Sequence, residues 1–177
     1  MGDPKRVAII GAGMAGLTLA RALADHASVR IFEKSKGVGG RMATRRIGHL
    51  TFDHGAQFFT VRDPRFGTMV DRAAGDSAVE CWKHDIVSLP TAPTREHRAS
   101  DARYVGKPAM NTLPQWMASD CDVVFNAEVR SISGAPGRWM VGTEAGEEGP
   151  FDWIVATAPA PQSGALLPRV FAHHAIL

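Results

Sequence analysis

Cysteine is nearly absent from this chain: of 177 residues, two are cysteine. Cys81 and Cys121 stand far apart and form no C-x-x-C or other metal-ligand spacing, which argues against a disulfide framework, a thiolate metal centre and a dithiol redox site. A reduced, cytoplasmic setting is the expectation. An excess of one charge is also missing. Twenty basic against eighteen acidic residues leave a net charge of +2, so nothing calls for nucleic acid or an anionic membrane as partner. No apolar run approaches the length of a membrane span. The first apolar segment begins at Val7, too early to leave room for a signal peptide, and the opening Met-Gly-Asp-Pro-Lys-Arg lacks the Ser or Thr of a myristoylation signal. Internal repeats and low-complexity tracts are lacking as well. What remains is an ordinary globular composition, 45% hydrophobic and 21% charged, over a length that suits one domain or one domain with part of a second.

The informative stretch is residues 7–34, VAIIGAGMAGLTLARALADHASVRIFEK. Val7-Ala8-Ile9-Ile10 has the character of a buried parallel strand. Gly11, Gly13 and Gly16 follow at G-x-G-x-x-G spacing, with Ala12, Met14 and Ala15 between them, and an apolar helical run begins at once. A second β-branched segment, Val29-Arg30-Ile31-Phe32, ends in Glu33. Strand, glycine turn, helix, strand and acid in this order are what an adenine dinucleotide site requires; a glycine-rich turn with no ligand is the alternative. Gly11 lets the chain turn off the strand, Gly13 lets the backbone approach a pyrophosphate, and Gly16 lets helix and sheet close together. The helix N-terminus offers free N–H groups and a partial positive charge to phosphates. Glu33 stands where a carboxylate can accept from a ribose diol.

A second glycine-rich segment, Lys34-Ser35-Lys36-Gly37-Val38-Gly39-Gly40-Arg41-Met42, follows directly. Its glycines suit backbone held close to something bulky and anionic, with Arg41 as a charge-assisted donor; a flexible loop with a solvated arginine is the alternative. Thr44–Ile47 and Leu50–Phe52 read as short strands leading to Asp53-His54-Gly55-Ala56-Gln57-Phe58-Phe59. Small residues between an amide and aromatic rings suit a flat ring system packed on backbone, and a hairpin corner with a buried Phe pair is the other reading. His54 is a candidate base or simply a hydrogen-bonding residue. Asp63-Pro64 marks a helix start. Strands are expected over Val79–Trp82 and Ile86–Leu89, a loop over 90–102, and a turn with a short helix from Tyr104 through Met117, capped near Asn111. Further strands are expected at Val123–Phe125, Glu128–Ile132 and Trp139–Val141, a turn at 146–149, and one buried strand over Phe151–Thr157. The sum is an α/β chain, a doubly wound Rossmann-type sheet with an inserted antiparallel stretch of roughly 60 residues. The expected boundaries are 1–60 with 120–160 for the nucleotide domain and 61–119 for a partial substrate domain.

Taken together, GAGMAG at 11–16, EKSKGVGGRM at 33–42, FDHGAQFF at 52–59, YVGKPAM at 104–110 and FDWIVATAPAPQ at 151–162 resemble the flavin amine-oxidase superfamily, and within it the renalase-like flavoproteins. The resemblance runs from residue 6 to 168. It implies non-covalent FAD, with Gly11–Gly16 under the pyrophosphate and Glu33, beside Lys34, on the adenosine ribose. Gly40, Arg41 and Met42 would serve the phosphates or the chain leading to the flavin, and Gly55, Ala56 and Gln57 would lie near the flavin end. Val129 matches a position whose backbone touches adenine. The implied chemistry is hydride transfer from a dihydronicotinamide or an amine to the flavin, with molecular oxygen as acceptor. Relatives of this kind continue well past the APAPQ segment, so the resemblance also implies a C-terminally shortened member. Two other readings stand beside it: a catalytically inactive dinucleotide-binding remnant, and an NAD(P)-binding protein without flavin. No residue is assigned as catalytic and no metal is expected.

Overall fold

The computed structural model describes residues 3–83 and 102–167. In chain order these form β1 (Lys5–Ile10), α1 (Met14–Leu23), β2 (Ala27–Phe32), a 3-10 turn at Gly40–Met42, β3 (Thr44–Ile47), β4 (Leu50–Asp53), β5 (Phe59–Thr60), α2 (Pro64–Gly75), β6 (Val79–Cys81), β7 (Arg103–Gly106), α3 (Thr112–Met117), β8 (Asp122–Val124), β9 (Ser131–Ala135), β10 (Arg138–Thr143), β11 (Gly146–Phe151), β12 (Trp153–Ala156) and α4 (Ala160–Leu166). They fall into two compact units, one within 1–41 and 117–177, the other within 42–116.

The first unit is built on a four-stranded sheet of order β12-β1-β2-β8, with every pairing parallel. Side chains of a strand alternate between its faces, and the burial of β1 and β2 shows two different partners. Ala8, Ile10 and Phe32 point to one face, where they join Val141 and Phe151 of an antiparallel meander of order β11-β10-β9. Val7, Ile9 and Ile31 take the opposite face, the side of α1, whose Leu17 and Ala20 are buried. A parallel pair needs a crossover, and α1 supplies it between β1 and β2. Phe32 and Phe151 meet edge to face with ring centroids 6.0 Å apart. Arg6 lies 4.9 Å over the Phe151 ring and donates to the Pro150 carbonyl. Arg30 bridges Asp122 and Glu148, so a side chain of the parallel sheet also reaches the meander through charge.

The second unit holds the β3–β4 hairpin, an antiparallel sheet of order β5-β7-β6, and helices α2 and α3. Asp63 caps α2 as expected, accepting from the Arg65 backbone N–H at 2.8 Å with Pro64 in the first turn. The Arg65 guanidinium and that amide hold the Asp63 carboxyl down to about 2. Phe59 stacks on Tyr104 and meets Phe66 edge to face, while Phe58 packs on Trp82 beneath Arg103.

Three expected elements differ. Residues 146–149 are strand rather than turn: the two-residue turn lies at Glu144-Ala145, and β10 supplies a ladder that overrides the weak strand preference of a Gly/Glu segment. Glu128–Arg130 are not strand. Asn126 and Ala127 donate to the carbonyls of Ser35 and Glu33, which ties this segment back to the end of β2. The first bond to β10 runs from the Arg130 N–H to the Gly142 carbonyl, with the paired register starting at Ser131. The run from Phe151 to Thr157 is broken at Asp152, whose carboxylate accepts from the Arg6 backbone N–H and from Lys5. Phe151 therefore closes the meander, and Trp153 opens the parallel edge strand. The expected strand at Ile86–Leu89 and the loop at 90–102 lie outside the described residues, apart from residue 102.

Phe151 is fully buried at the centre of the first unit. Replacing it with Ala should cost about 3–5 kcal/mol of unfolding free energy, read from urea denaturation.

Candidate dinucleotide-binding site

The glycine turn joins the C-terminal end of β1 to α1, and each glycine has its own constraint. Gly11 has φ +104°, a conformation L side chains rarely adopt. A Cβ on Gly16 would stand 2.1 Å from the Gly11 carbonyl oxygen, so only glycine lets helix and turn close. A Cβ on Gly13 would meet nothing within 4 Å. The space beside Gly13 is open, as a close approach by a ligand requires. Gly13 is also the N-cap of α1. It offers no capping side chain, and the first turn carries no acidic residue. The N–H groups of the first helical turn are therefore not capped by a side chain. Met14 and Ala15 begin that first turn, and Ala12 is buried behind it.

Glu33 is buried at 7% exposure. One carboxylate oxygen accepts from the Ala12 N–H and the other from the Ser35 N–H, each at 2.8 Å. One side chain thus holds both glycine segments. The backbone adds to this: Gly11 N–H donates to the Phe32 carbonyl and Gly39 N–H to the Ala12 carbonyl. Gly13 and Gly39 form a parallel bridge, with Gly40 close beside Gly13. The second glycine segment is therefore not a free loop; the backbone it lies close to is the first turn. Lys34 and Arg41 are exposed, and Arg41 makes no ion pair among the described residues.

Val129 lies beyond the turn at Asn126, and its side chain packs in the core with Phe32 and Ala127. Among the described residues its backbone N–H and carbonyl take part in no backbone hydrogen bond, which leaves both for another partner. Met42, Gly55, Ala56 and Gln57 belong to the second unit. Gly55 and Gln57 are exposed between β4 and β5, as is His54, and Met42 is buried. Phe58 and Phe59 are taken up by the aromatic contacts of that unit, the packing role that the sequence left open.

Thr157 escaped the sequence reading. Its hydroxyl lies 2.9 Å from the Ile10 carbonyl and 3.1 Å from that of Gly11. The only available signal was a small hydroxyl residue at the end of a buried apolar run, which alone says little.

A parallel sheet, a glycine turn at its carboxyl end and an uncapped helix define a Rossmann-like dinucleotide-binding unit, and residues 9–73 match the NAD(P)-binding Rossmann-like domain. The chain is similar to mouse renalase, at 26% identity over 168 residues, covering 89% of this chain and 48% of that one. It is also 26% identical over 145 residues to coproporphyrinogen III oxidase of Mycobacterium tuberculosis, covering 80% of this chain and 31% of that enzyme. The chain thus spans about half the length of the renalase it matches, and less of the other relative. Putrescine oxidase bound to putrescine matches with a TM-score of 0.69 at 15% identity, over 94% of this chain and 62% of that one. An Exiguobacterium protein described as a protoporphyrinogen oxidase matches with a TM-score of 0.67 at 14% identity, over 96% of this chain and 62% of that one. These structural likenesses speak to the fold. No helix among the described residues is long and apolar enough to cross a membrane.

The two inner glycines should separate folding from binding. Gly16→Ala forces backbone apart and should lower unfolding free energy by about 1–3 kcal/mol or more in urea denaturation. Gly13→Ala, in open space at an ordinary φ, should cost no more than about 1 kcal/mol, the difference between glycine and alanine at an N-cap.

Proposed function

We propose that this chain binds FAD non-covalently and serves an oxidoreductase that takes hydride from a small-molecule donor, a dihydronicotinamide or an amine, with molecular oxygen as acceptor. The observation that carries the reading is the open, uncapped turn at Gly13. It provides a helix dipole and first-turn backbone N–H groups that no side chain caps, beside open space, which is what a pyrophosphate needs. The second glycine segment favours FAD over a nicotinamide cofactor. It is bonded to the first turn and brings Gly40, Arg41 and Met42 directly after it, whereas NAD needs no second glycine loop there.

In this reading Gly11–Gly16 lie under the pyrophosphate, and Arg41 lends a charged donor to the phosphates. Each Glu33 oxygen has one protein hydrogen bond and keeps capacity for another, enough to accept from a ribose diol. Lys34 stands exposed beside it. The N–H and carbonyl of Val129, which make no backbone hydrogen bond among the described residues, would suit the edge of an adenine base. Gly55, Ala56 and Gln57 would serve the flavin end, with residues 61–119 contributing to a substrate-facing domain. Bound FAD would supply the hydride-accepting chemistry; the work of the protein is to bind, orient and exclude water. The matched relatives support oxidase chemistry through the activities in their names, coproporphyrinogen III oxidase and putrescine oxidase. An NAD(P)-binding protein without flavin is the second reading, favoured by the description of the family matched at residues 9–73.

The test is to incubate the purified chain with FAD, remove free cofactor by gel filtration and record the absorbance of the protein peak. Oxidised-flavin bands that co-elute with the parent chain, and their loss in Gly13→Val, are expected. A parent chain that stays colourless overturns the FAD reading, and NADH binding by that colourless chain would establish the second.

A further inference from the structure

The peptide unit joining Gly11 to Ala12 is held at both ends by side chains far away in sequence. Its N–H donates to Glu33 Oε2 at 2.8 Å, and its carbonyl oxygen lies 3.1 Å from Thr157 Oγ1. The same hydroxyl lies 2.9 Å from the Ile10 carbonyl, and the Thr157 backbone N–H donates to that carbonyl at 3.0 Å. Thr157 Oγ1 would also crowd side chains at the two glycines: it is 3.1 Å from the position of a Cβ on Gly11 and 3.0 Å from that of a Cβ on Gly16.

A trans peptide is planar, so fixing its two ends fixes its orientation. A flip of this unit turns ψ of Gly11, which glycine resists little, together with φ of Ala12. Such a flip would turn the carbonyl oxygen of the unit toward the Glu33 carboxylate, oxygen against oxygen. It would also take that oxygen away from the Thr157 hydroxyl, whose one proton is shared between the carbonyls of Ile10 and Gly11. Thr157 and Glu33 therefore enforce the same orientation from opposite sides.

From this geometry we infer that Thr157 is a positioning residue for the dinucleotide turn: its hydroxyl pins the Gly11 carbonyl inward and so sets the presentation of the backbone N–H groups that follow. The inference rests on the FAD reading for its ligand, but the clamp itself exists in the free chain. A valine at this position keeps the branched shape and removes the hydroxyl; a serine keeps the hydroxyl and removes the methyl group.

The experiment titrates FAD into the parent, Thr157→Val and Thr157→Ser chains, under conditions where their far-UV circular dichroism agrees, and measures exchange of the Ala12 amide by NMR without ligand. Thr157→Val should weaken FAD binding tenfold or more and speed Ala12 exchange at least tenfold. Thr157→Ser should stay within threefold of the parent in both. Thr157→Val with Ala12 exchange within twofold of the parent overturns the proposal, as does Thr157→Ser failing to the same extent as Thr157→Val. A parent chain that takes up no FAD refutes the FAD reading alone, because the exchange measurement still decides the role of Thr157.

Discussion

The Glu33 carboxylate, buried and shared between the N–H groups of Ala12 and Ser35, is the constraint on which the rest of the site depends. Burying a carboxylate is costly unless its lone pairs are met by donors. Here the donors come from two glycine-rich segments that have few side chains with which to hold themselves in place. Glycine turns permit close approach by a ligand, but they resist alternative conformations poorly. A charged acceptor at the end of β2 supplies the missing restraint, and the sheet fixes where that acceptor stands.

The surrounding fold follows the same division of labour. Parallel pairing places the ends of β1, β2 and β12 side by side, so Ile10, Glu33 and Thr157 are neighbours although they come from widely separated parts of the chain. The meander packs Val141 and Phe151 against the face that bears Ala8, Ile10 and Phe32. That packing fixes where the strand ends stand, and side chains at those ends hold the turn. The order of dependence runs from core to strand ends to turn, and from the turn to the open space at Gly13.

Much of this was legible in the sequence because the signals were local. Gly11, Gly13 and Gly16 between a β-branched strand and an apolar helix could be read in a window of about 30 residues, the size of one βαβ unit. Asp63-Pro64 gave the start of α2 from chemistry that needs no partner. The parts that were not legible depend on distant pairing. Gly146-Glu147-Glu148-Gly149 has turn composition and becomes strand because β10 offers it a ladder. Glu128 and Val129 have strand character and stay outside the ladder because Asn126 and Ala127 are drawn to the end of β2. Thr157 shows its role only when the sheet sets its hydroxyl beside the Gly11 carbonyl, 146 residues away in sequence.

The central claim is that one carboxylate, by accepting from two backbone donors, holds the two glycine segments together. Urea unfolding of Glu33→Gln tests it most directly. Glutamine matches the shape but can accept through one oxygen only, and its NH₂ would face the second backbone N–H. A loss of about 1–3 kcal/mol relative to the parent is predicted, the cost of a buried donor left unmet. Stability unchanged within about 0.5 kcal/mol would mean that the paired hydrogen bonds are incidental to the fold, contradicting the claim.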